Sequence, residues 1–339
     1  MKKLKVGIAG YGVVGKRRRH YIDLHDHMKV IGVCDQYFKK DKDEIDNLKC
    51  FKNYKDLLNE KLDILFVCLT NDIAPKVTIA GLKKGFHVFC EKPPGRNVND
   101  IIKVRKVEEK FPQLKLKYGF NHRYHDSVNL ALKIIKSGEL GSVINIRGVY
   151  GKSRIIDFKG GWRSKREIAG GGILLDQGIH MLDLMRLFCG EFVKVKSFVK
   201  NSYWNHDIED NAYAIMEDKL GRIAMIHSTA TQWKHRFMME ISLSEGYIEL
   251  HGILSGSKSY GEEKIIIGKR DDESMNGQMQ SKSINFLIDN SWKNEIFEFY
   301  NNIINDKSVN FGNSKDALET MKLVYEIYRS DENWKKNII

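Results

Sequence analysis

The sequence predicts an α/β chain of two domains: an N-terminal domain on a parallel, doubly wound sheet and a C-terminal α+β domain with a largely antiparallel, open sheet. At 339 residues the chain is longer than a single hydrophobic core usually organises. In its first third, short apolar runs alternate with helical segments, which is typical of a parallel sheet covered on both faces. After about residue 121, runs of period two follow one another without intervening helices, which indicates antiparallel pairing. We therefore expect domains at 1–122 and 123–339, with the last helix as a candidate to pack back on the first domain.

The predicted elements follow the chain in order. In the first domain we expect strands at 4–9, 30–35, 63–69 and 86–90, with helices at 16–27 and 74–84. In the second we expect helices at 126–137 and 173–188 around a strand at 143–150, then strands at 193–200, 211–217, 222–231, 236–243 and 247–251, and closing helices at 291–305 and 314–329.

Composition and charge disfavour several classes of protein. Hydrophobic residues make up 42% of the chain, no apolar stretch approaches the roughly 18 residues of a membrane span, and the start does not resemble a secretory signal. The net charge of +12 comes from lysines spread over the chain, so we expect no nucleic acid partner, although an anionic substrate would suit the positive field. Five cysteines without CxxC spacing suit a reducing cytoplasm. We expect a soluble, cytoplasmic protein with no membrane partner.

A glycine-rich turn separates the first strand from the first helix. In the GxGxxG pattern, the first glycine permits the tight turn, the second lets backbone approach a pyrophosphate, and the third lets the helix pack on the strand. Unpaired N–H groups at the helix N-terminus then favour the phosphates. The pattern predicts a dinucleotide site and these cofactor-binding residues: Gly10, Tyr11, Gly12, Val13, Val14 and Gly15.

Asp35 supports the same prediction. It closes the second strand 20 positions after Gly15, where a carboxylate can accept hydrogen bonds from ribose hydroxyls. Its charge would repel a 2′-phosphate, so we expect NAD, with NADP the less favoured cofactor. The basic run Arg17-Arg18-Arg19 would suit NADP, but we interpret it as solvated surface.

Two further motifs carry candidate catalytic residues. Glu91-Lys92-Pro93-Pro94 directly follows a predicted parallel strand, at the sheet edge where open α/β sheets bind ligands, so Lys92 is expected to point into a cleft. The second motif is the segment 170–183, in which three glycines precede Asp176 and His180. These two residues are four apart and would share one helix face.

With these motifs the chain resembles the glucose-fructose oxidoreductase and inositol dehydrogenase family (Gfo/Idh/MocA). That resemblance rests on the GxGxxG turn, an Asn-containing loop after the fourth strand, EKP at 91–93 and GGGxxxDxGxHxxD at 170–183. It implies a Rossmann domain, an open-sheet domain whose face makes subunit contacts in a homodimer or homotetramer, and hydride transfer at a secondary carbinol of a sugar or cyclitol. The family's Thr-Pro-Asn-x-x-His loop is present here without its Pro and His, and Pro94 is atypical.

The resemblance also implies roles for individual residues. The catalytic positions fall on Lys92, Asp176 and His180. Cofactor contacts beyond the glycine turn and Asp35 are expected from Thr70, Asn71, Glu91 and Lys92. The segment 119–124 leads into the substrate domain and offers Asn121, Arg123 and Tyr124 as substrate-binding residues.

Under this hypothesis His180 removes the hydroxyl proton while hydride leaves the same carbon for the nicotinamide. Lys92 stabilises the developing alkoxide, and Asp176 orients either partner. Whether Lys92 or His180 is the base stays open at this point.

The stretch 151–163 indicates what kind of sugar is bound. Arg154, Trp162 and Arg163 offer a stacking face and guanidinium groups that could grip a carboxylate or phosphate, so we expect an acidic or nucleotide-linked sugar; a solvated surface loop is the alternative. His122 and His125 lack partners at zinc-like spacing, so no metal is expected. The rival functions are an NAD-dependent glycosidase, a free-polyol dehydrogenase of inositol type, and a non-catalytic regulator that binds sugar and NAD.

Overall fold

The computed structural model describes residues 3–38, 44–45, 48–154, 161–255, 260–270 and 279–338. The chain forms two compact units. Unit 1 contains Met1–Asn121, Glu167–Ala169 and Trp292–Leu318, and unit 2 contains His122–Arg166, Gly170–Ser291 and Glu319–Ile339. The units differ from the expected ranges 1–122 and 123–339, because Trp292–Leu318 groups with unit 1. The final helix is divided between the two units after Leu318.

The sheet of unit 1 has seven strands in the order β3-β4-β2-β1-β5-β6-β7. They are β1 (Leu4–Ala9), β2 (Met28–Cys34), β3 (Glu44–Ile45), β4 (Leu48–Phe51), β5 (Ile64–Val67), β6 (His87–Glu91) and β7 (Leu116–Gly119). All pairs are parallel except β3 with β4. The strand order reverses between β1 and β5: strands are added on one side of β1 as far as β4, and then on the other side from β5 to β7. The predicted doubly wound Rossmann topology is therefore confirmed.

The helices of unit 1 are α1 (Val13–Asp23), α2 (Tyr54–Leu57), α3 (Ala74–Lys83), α4 (Val98–Glu108) and α8 (Ser291–Ile304), the last of which begins in unit 2. The hydrophobic core includes Ile8 of β1, Phe66 of β5, Phe89 of β6 and Phe299 of α8, all fully buried. The helix expected at 16–27 begins at Val13 instead, because the glycine turn leads directly into it. Strands β3, β4 and β7 and helices α2 and α4 were not predicted.

The sheet of unit 2 has eight strands in the order β15-β14-β13-β12-β8-β11-β10-β9. They are β8 (Val143–Ser153), β9 (Phe192–Lys200), β10 (Asn211–Asp218), β11 (Ile223–Gln232), β12 (Arg236–Leu243), β13 (Gly246–His251), β14 (Glu263–Arg270) and β15 (Met279–Phe286). Only β8 with β11 is parallel, so the predicted, largely antiparallel open sheet is confirmed. Strands β14 and β15 were not predicted.

Helices α5 (Asp126–Ser137), α7 (Ile179–Cys189) and α9 (Ser314–Ser330) belong wholly or mostly to unit 2, and the short α6 (Arg166–Ala169) lies across the boundary between units. Helix α7 packs on β8, since a Cβ at Gly148 would lie 2.6 Å from the Met181 sulfur. No helix within the described residues is long and apolar enough to cross a membrane.

Candidate active site

The glycine turn joins the end of β1 to the start of α1. Gly10 has φ +93°, and a Cβ there would overlap the carbonyl oxygen of Cys68. A Cβ at Gly15 would overlap the carbonyl oxygen of Gly10. Of the three glycines of this turn, Gly12 is the one at which a Cβ would meet no described atom within 4 Å. Gly10 and Gly15 are therefore required by the fold, whereas Gly12 leaves open space at the helix N-terminus, where an anionic group is favoured.

Asp35 lies just beyond β2 and connects it to the glycine turn. One carboxylate oxygen accepts a hydrogen bond from the Tyr11 N–H (2.9 Å), and the other accepts one from the Tyr37 N–H (3.1 Å). Tyr11 is buried, and its hydroxyl accepts a hydrogen bond from Arg19 (2.7 Å). Val13 is 76% exposed. Asp35 thus ties the end of β2 to the glycine turn.

Lys92 directly follows β6, as expected, and its side chain is half-buried. The peptide bond between Lys92 and Pro93 is cis. The carboxylate of the preceding Glu91 contacts Arg18 of α1, with Oε1 2.6 Å from the Arg18 Nε. Arg18 is completely buried. The interpretation of the run Arg17-Arg18-Arg19 as solvated surface is therefore wrong for Arg18, and Glu91 serves as its partner.

In unit 2 the segment that carries Asp176 is not a regular α-helix. Leu174–Gly178 forms a π-helical turn, and α7 begins only at Ile179. The i→i+5 hydrogen bonds of a π turn change the angle between Asp176 and His180 from that expected for a continuous α-helix. Such turns occur frequently at functional sites.

A buried carboxylate holds this segment in place. Glu209 accepts hydrogen bonds from the N–H groups of Gly172 (2.7 Å) and Leu174 (3.0 Å) and from the hydroxyl of Tyr328 (2.7 Å). Burial raises the pKa of Glu209, and these hydrogen bonds oppose the shift. A Cβ at Gly172 would overlap the Glu209 carbonyl oxygen, and one at Gly171 would overlap the Tyr328 hydroxyl. Both glycines therefore allow close packing within unit 2.

His180 belongs to a buried aromatic cluster. Its ring stacks on that of His122, with centroids 3.7 Å apart and planes 11° apart, and both side chains are buried. The His122 Nε2 lies 3.0 Å from the hydroxyl of Tyr150, which is also hydrogen-bonded to Tyr260. Burial, then Tyr260, then the charge of Asp176 raise the pKa of Tyr150, so both tyrosines stay neutral at physiological pH.

The sequence interpretation missed Tyr150, Tyr260 and the role of His122. Tyr150 lies on β8, where register places it opposite Phe237 of β12, and the two rings contact edge to face at 5.3 Å. The alternation along β8 was visible, but nothing local marks Tyr150 as the residue that meets His122.

The predicted substrate-binding residues of 151–163 have aromatic neighbours. The guanidinium of Arg154 lies 3.4 Å from the ring centroid of Trp233 and 5.1 Å from that of Tyr203. Arg163 lies over Trp162 at 4.3 Å, and its Nε is 3.6 Å from an Asp176 carboxylate oxygen. Residues 155–160 of this stretch lie outside the described part of the chain.

Arg123 has a structural partner. Its guanidinium forms a forked pair with Asp183 of α7, at 2.6 and 2.7 Å, and is 4% exposed. Asn121 and Tyr124, from the same 3₁₀ turn, are buried as well. The forked pair occupies the face of Arg123 that would grip an acidic ligand, so the structure lends no support to its predicted contact with substrate.

Two family models match this chain. One, described as an oxidoreductase family with an NAD-binding Rossmann fold, matches residues 4–117. The other, described as the GFO/IDH/MocA C-terminal domain, matches residues 128–249. The chain belongs to the GFO/IDH/MocA oxidoreductase family.

Several relatives of this family member have named activities. The chain is 25% identical over 264 residues to inositol 2-dehydrogenase of Salmonella typhimurium, which covers 75% of this chain and 76% of the relative. It is 26% identical over 266 residues to D-glucoside 3-dehydrogenase of Escherichia coli, covering 70% and 74%. Levoglucosan dehydrogenase, solved in complex with NADH and L-sorbose, shares the fold with a TM-score of 0.82 at 18% identity, over 97% of each chain.

This family member departs from the usual pattern in the loop after β5, where Pro and His are absent. Thr70 donates a hydrogen bond to Asp72 (2.6 Å), and the Asn71 side chain donates one to the Ala169 carbonyl (2.7 Å). These contacts fix the loop without the missing residues.

No group of three His, Cys, Asp or Glu side chains within the described residues could hold a metal ion.

Proposed function

We propose that the protein is an NAD-dependent dehydrogenase or reductase that moves hydride between the nicotinamide and a secondary hydroxyl or ketone of a sugar. The observation that carries this proposal is the buried His180, stacked on His122 and four residues after Asp176, in a chain that also has the open glycine turn. Relatives in the same family are dehydrogenases of inositol and glucosides.

The residues of unit 1 fit a dinucleotide. Gly12 leaves open space at the N-terminus of α1, and the Asp35 carboxylate stands beside the Tyr11 amide. An acidic side chain at this position favours a free 2′-hydroxyl over a 2′-phosphate, which supports NAD rather than NADP. In Asp35→Asn the ratio of the dissociation constants for NADPH and NADH should therefore fall at least about tenfold, as measured by titrating both reduced cofactors. An unchanged ratio of the two affinities would show that Asp35 does not select the cofactor.

Each side chain has a distinct part in the proposed reaction. When bound, the cofactor supplies the hydride acceptor. His180 takes the hydroxyl proton as general base, and a neutral imidazole is suited to this near pH 7. Lys92 stabilises the developing alkoxide with its charge, and Asp176 balances the positive charge that collects on His180.

For the substrate, we propose an acidic or nucleotide-linked sugar. The guanidinium of Arg154 lies 3.4 Å from the ring centroid of Trp233 and 5.1 Å from that of Tyr203, and its N–H groups form a planar fork. Such a group matches a carboxylate or phosphate in two-point geometry. A free polyol is the second candidate, favoured by the similarity to inositol 2-dehydrogenase.

We further propose that the protein self-associates as a homodimer or homotetramer through the sheet of unit 2. Large apolar side chains are exposed on β8 to β11: Ile144, Val193, Phe198, Tyr213, Ile215, Ile223 and Met225. Exposed apolar patches of this kind mark interaction surfaces. Sedimentation should find an oligomer, and Phe198→Glu should shift it toward the monomer.

The five cysteines are free thiols, four of them buried, which supports a reducing compartment.

The test of the function is turnover with purified full-length chain. Neutral sugars, sugar acids, sugar phosphates, nucleotide sugars and inositols are each mixed with NAD, and formation of NADH is followed at 340 nm. Net NADH supports a dehydrogenase. Substrate cleavage without net NADH would indicate the glycosidase instead, and NADH binding with no chemistry would indicate a regulator.

His180→Ala should lower kcat by about 10²–10⁴-fold while leaving the affinity for NADH within about twofold. His251→Ala is the matched control, because this histidine of unit 2 pairs with Glu249 away from the cluster. If His180→Ala kept most of its turnover, the assignment of His180 as base would be wrong.

A further inference from the structure

A group of three charged side chains, two fully buried and one half-buried, lies beside the Lys92 motif in unit 1. Arg18 is completely buried between two carboxylates, with its Nε 2.6 Å from Glu91 and its Nη1 2.8 Å from Glu295. Its guanidinium also lies over the rings of Phe89 (4.3 Å) and Trp292 (4.2 Å). We call Arg18, Glu91 and Glu295 the Arg18 cluster.

The backbone packs tightly around the Arg18 cluster. A Cβ at Gly119 of β7 would come within 2.9 Å of both the Arg18 Nη2 and the Glu91 carboxylate. Lys117, also on β7, is fully buried and contributes a second positive charge near Glu295. The cluster therefore links α1, β6 and α8, and β7 packs against it.

Stability alone does not account for this arrangement. Burying three charged groups carries a large desolvation cost, and apolar side chains of similar volume are often as stable or more so. What the Arg18 cluster provides is a fixed orientation, because Glu91 cannot turn toward water while Arg18 holds it. Glu91 is the residue directly before Lys92. Arg18 lies on the helix that begins at the glycine turn.

We propose that Arg18 is a positioning residue, which fixes the direction of Lys92 by holding the Glu91 carboxylate against the helix of the glycine turn. Glu295 shares the same guanidinium, so its charge sets how firmly Arg18 holds Glu91. The proposal deepens the proposed function, since Lys92 is the residue there that stabilises the alkoxide.

The charge state of Glu295 makes the strength of the contact between Arg18 and Glu91 depend on pH. Burial raises the pKa of Glu295 to about 7, against the opposing charges of Arg18 from α1 and Lys117 from β7, while Glu91 from β6 adds to the increase. On the same helix, Glu298 lies beside Lys117. Below about pH 7 Glu295 is protonated and Arg18 pairs mainly with Glu91. Above it, both carboxylates compete for Arg18, and Lys92 is held less firmly.

The experiment measures the environment of Lys92 directly, in the full-length chain without cofactor or substrate. A small amine-reactive reagent is applied between pH 6 and 9, and modification of each lysine is followed by peptide mass spectrometry. The rate at Lys92 is divided by that at Lys49, a well-exposed lysine of unit 1, which removes the intrinsic effect of pH. In the wild-type chain this ratio should rise at least threefold in a step centred near pH 7.

Three variants separate positioning from simple structure. Glu295→Gln should abolish the step, and Arg18→Met should raise the ratio at least threefold at every pH. Arg18→Lys should lie between the wild-type and Met values. Glu298→Gln is the matched control, on the same helix but in contact with Lys117, and should keep the wild-type step.

The proposal is overturned if Glu295→Gln and Arg18→Lys both give the wild-type ratio and step. If Arg18→Met does not fold, the other two variants still decide. The labelling result is independent of catalysis. A chain that shows these labelling changes but oxidises no sugar would refute the proposed function and keep the positioning role of Arg18. An active enzyme with unchanged labelling would keep the proposed function and refute the positioning role.

Discussion

Replacing Glu295 by Gln should make the free energy of unfolding of unit 1 less dependent on pH. Glu295 is fully buried, and burial raises its pKa from 4.5 to about 7 even though Arg18 and Lys117 oppose the shift. Because the folded state binds this proton more tightly than the unfolded chain, the contribution is fully present below pH 4.5. It is lost as the pH rises through about 7.

The magnitude follows from the shift. Since one pKa unit corresponds to about 1.4 kcal/mol, the wild-type chain should lose about 2–3 kcal/mol from this residue between pH 5 and 8. Glu295→Gln has no proton to lose, so its stability relative to wild type should increase by that amount over the same range. Desolvation of a buried carboxylate, rather than loss of a contact, is the cause.

The assay is urea unfolding at pH 5, 6, 7 and 8, with 5-fluorotryptophan incorporated and the ¹⁹F signal of Trp292 followed. Trp292 reports on unit 1, because the other four of the five tryptophans belong to unit 2. Glu298→Gln, whose carboxylate is partly exposed, should run parallel to wild type. Curves for wild type and Glu295→Gln that stay parallel within about 0.5 kcal/mol would refute the reasoning.

Three other substitutions test the two units separately. Gly15→Ala should destabilise unit 1 by several kcal/mol or prevent folding, because its Cβ would overlap the Gly10 carbonyl oxygen; near-wild-type urea unfolding would contradict this. Gly12→Ala should fold normally, since no described atom lies within 4 Å of its Cβ, yet bind NADH at least about tenfold more weakly in fluorescence titration; unchanged affinity would mean that no ligand approaches this glycine. Asp183→Asn should cost about 3–5 kcal/mol in urea unfolding, because it leaves the buried guanidinium of Arg123 without its charge partner, and a loss below about 1 kcal/mol would contradict a structural role for Arg123.

Local patterns were sufficient for the elements whose signal is contained in a short segment. The first strand, the glycine turn and Asp35 were found because their spacing is set by the backbone of one βαβ unit. Strands β14 and β15 were missed, since β14 carries three consecutive isoleucines instead of an alternation and β15 is mostly polar. The break between the π-helical turn and α7 was also missed, because Asp176 and His180 fit a continuous helix equally well in sequence.

Side chains that meet across long separations could not be predicted in the same way. Arg18 was interpreted as surface because it stands in a run of three arginines, yet its partners Glu91 and Glu295 lie 73 and 277 positions further along the chain. The family resemblance assigned Arg123 to the substrate, and the pairing of its guanidinium with Asp183 could not be read from the sequence. Such assignments require knowing which residues fold against one another.

The sequence by itself determined the family, the order of strands and helices in outline, and the three motifs that carry the proposed chemistry. It could do so because glycine spacing, strand alternation and the EKP run are local requirements of backbone geometry. Only the tertiary structure decided that Arg18 pairs with both Glu91 and Glu295, and that His180 stacks on His122 beside Tyr150. The physical reason is that burial and charge pairing act through space, so they depend on distances that no short stretch of sequence contains.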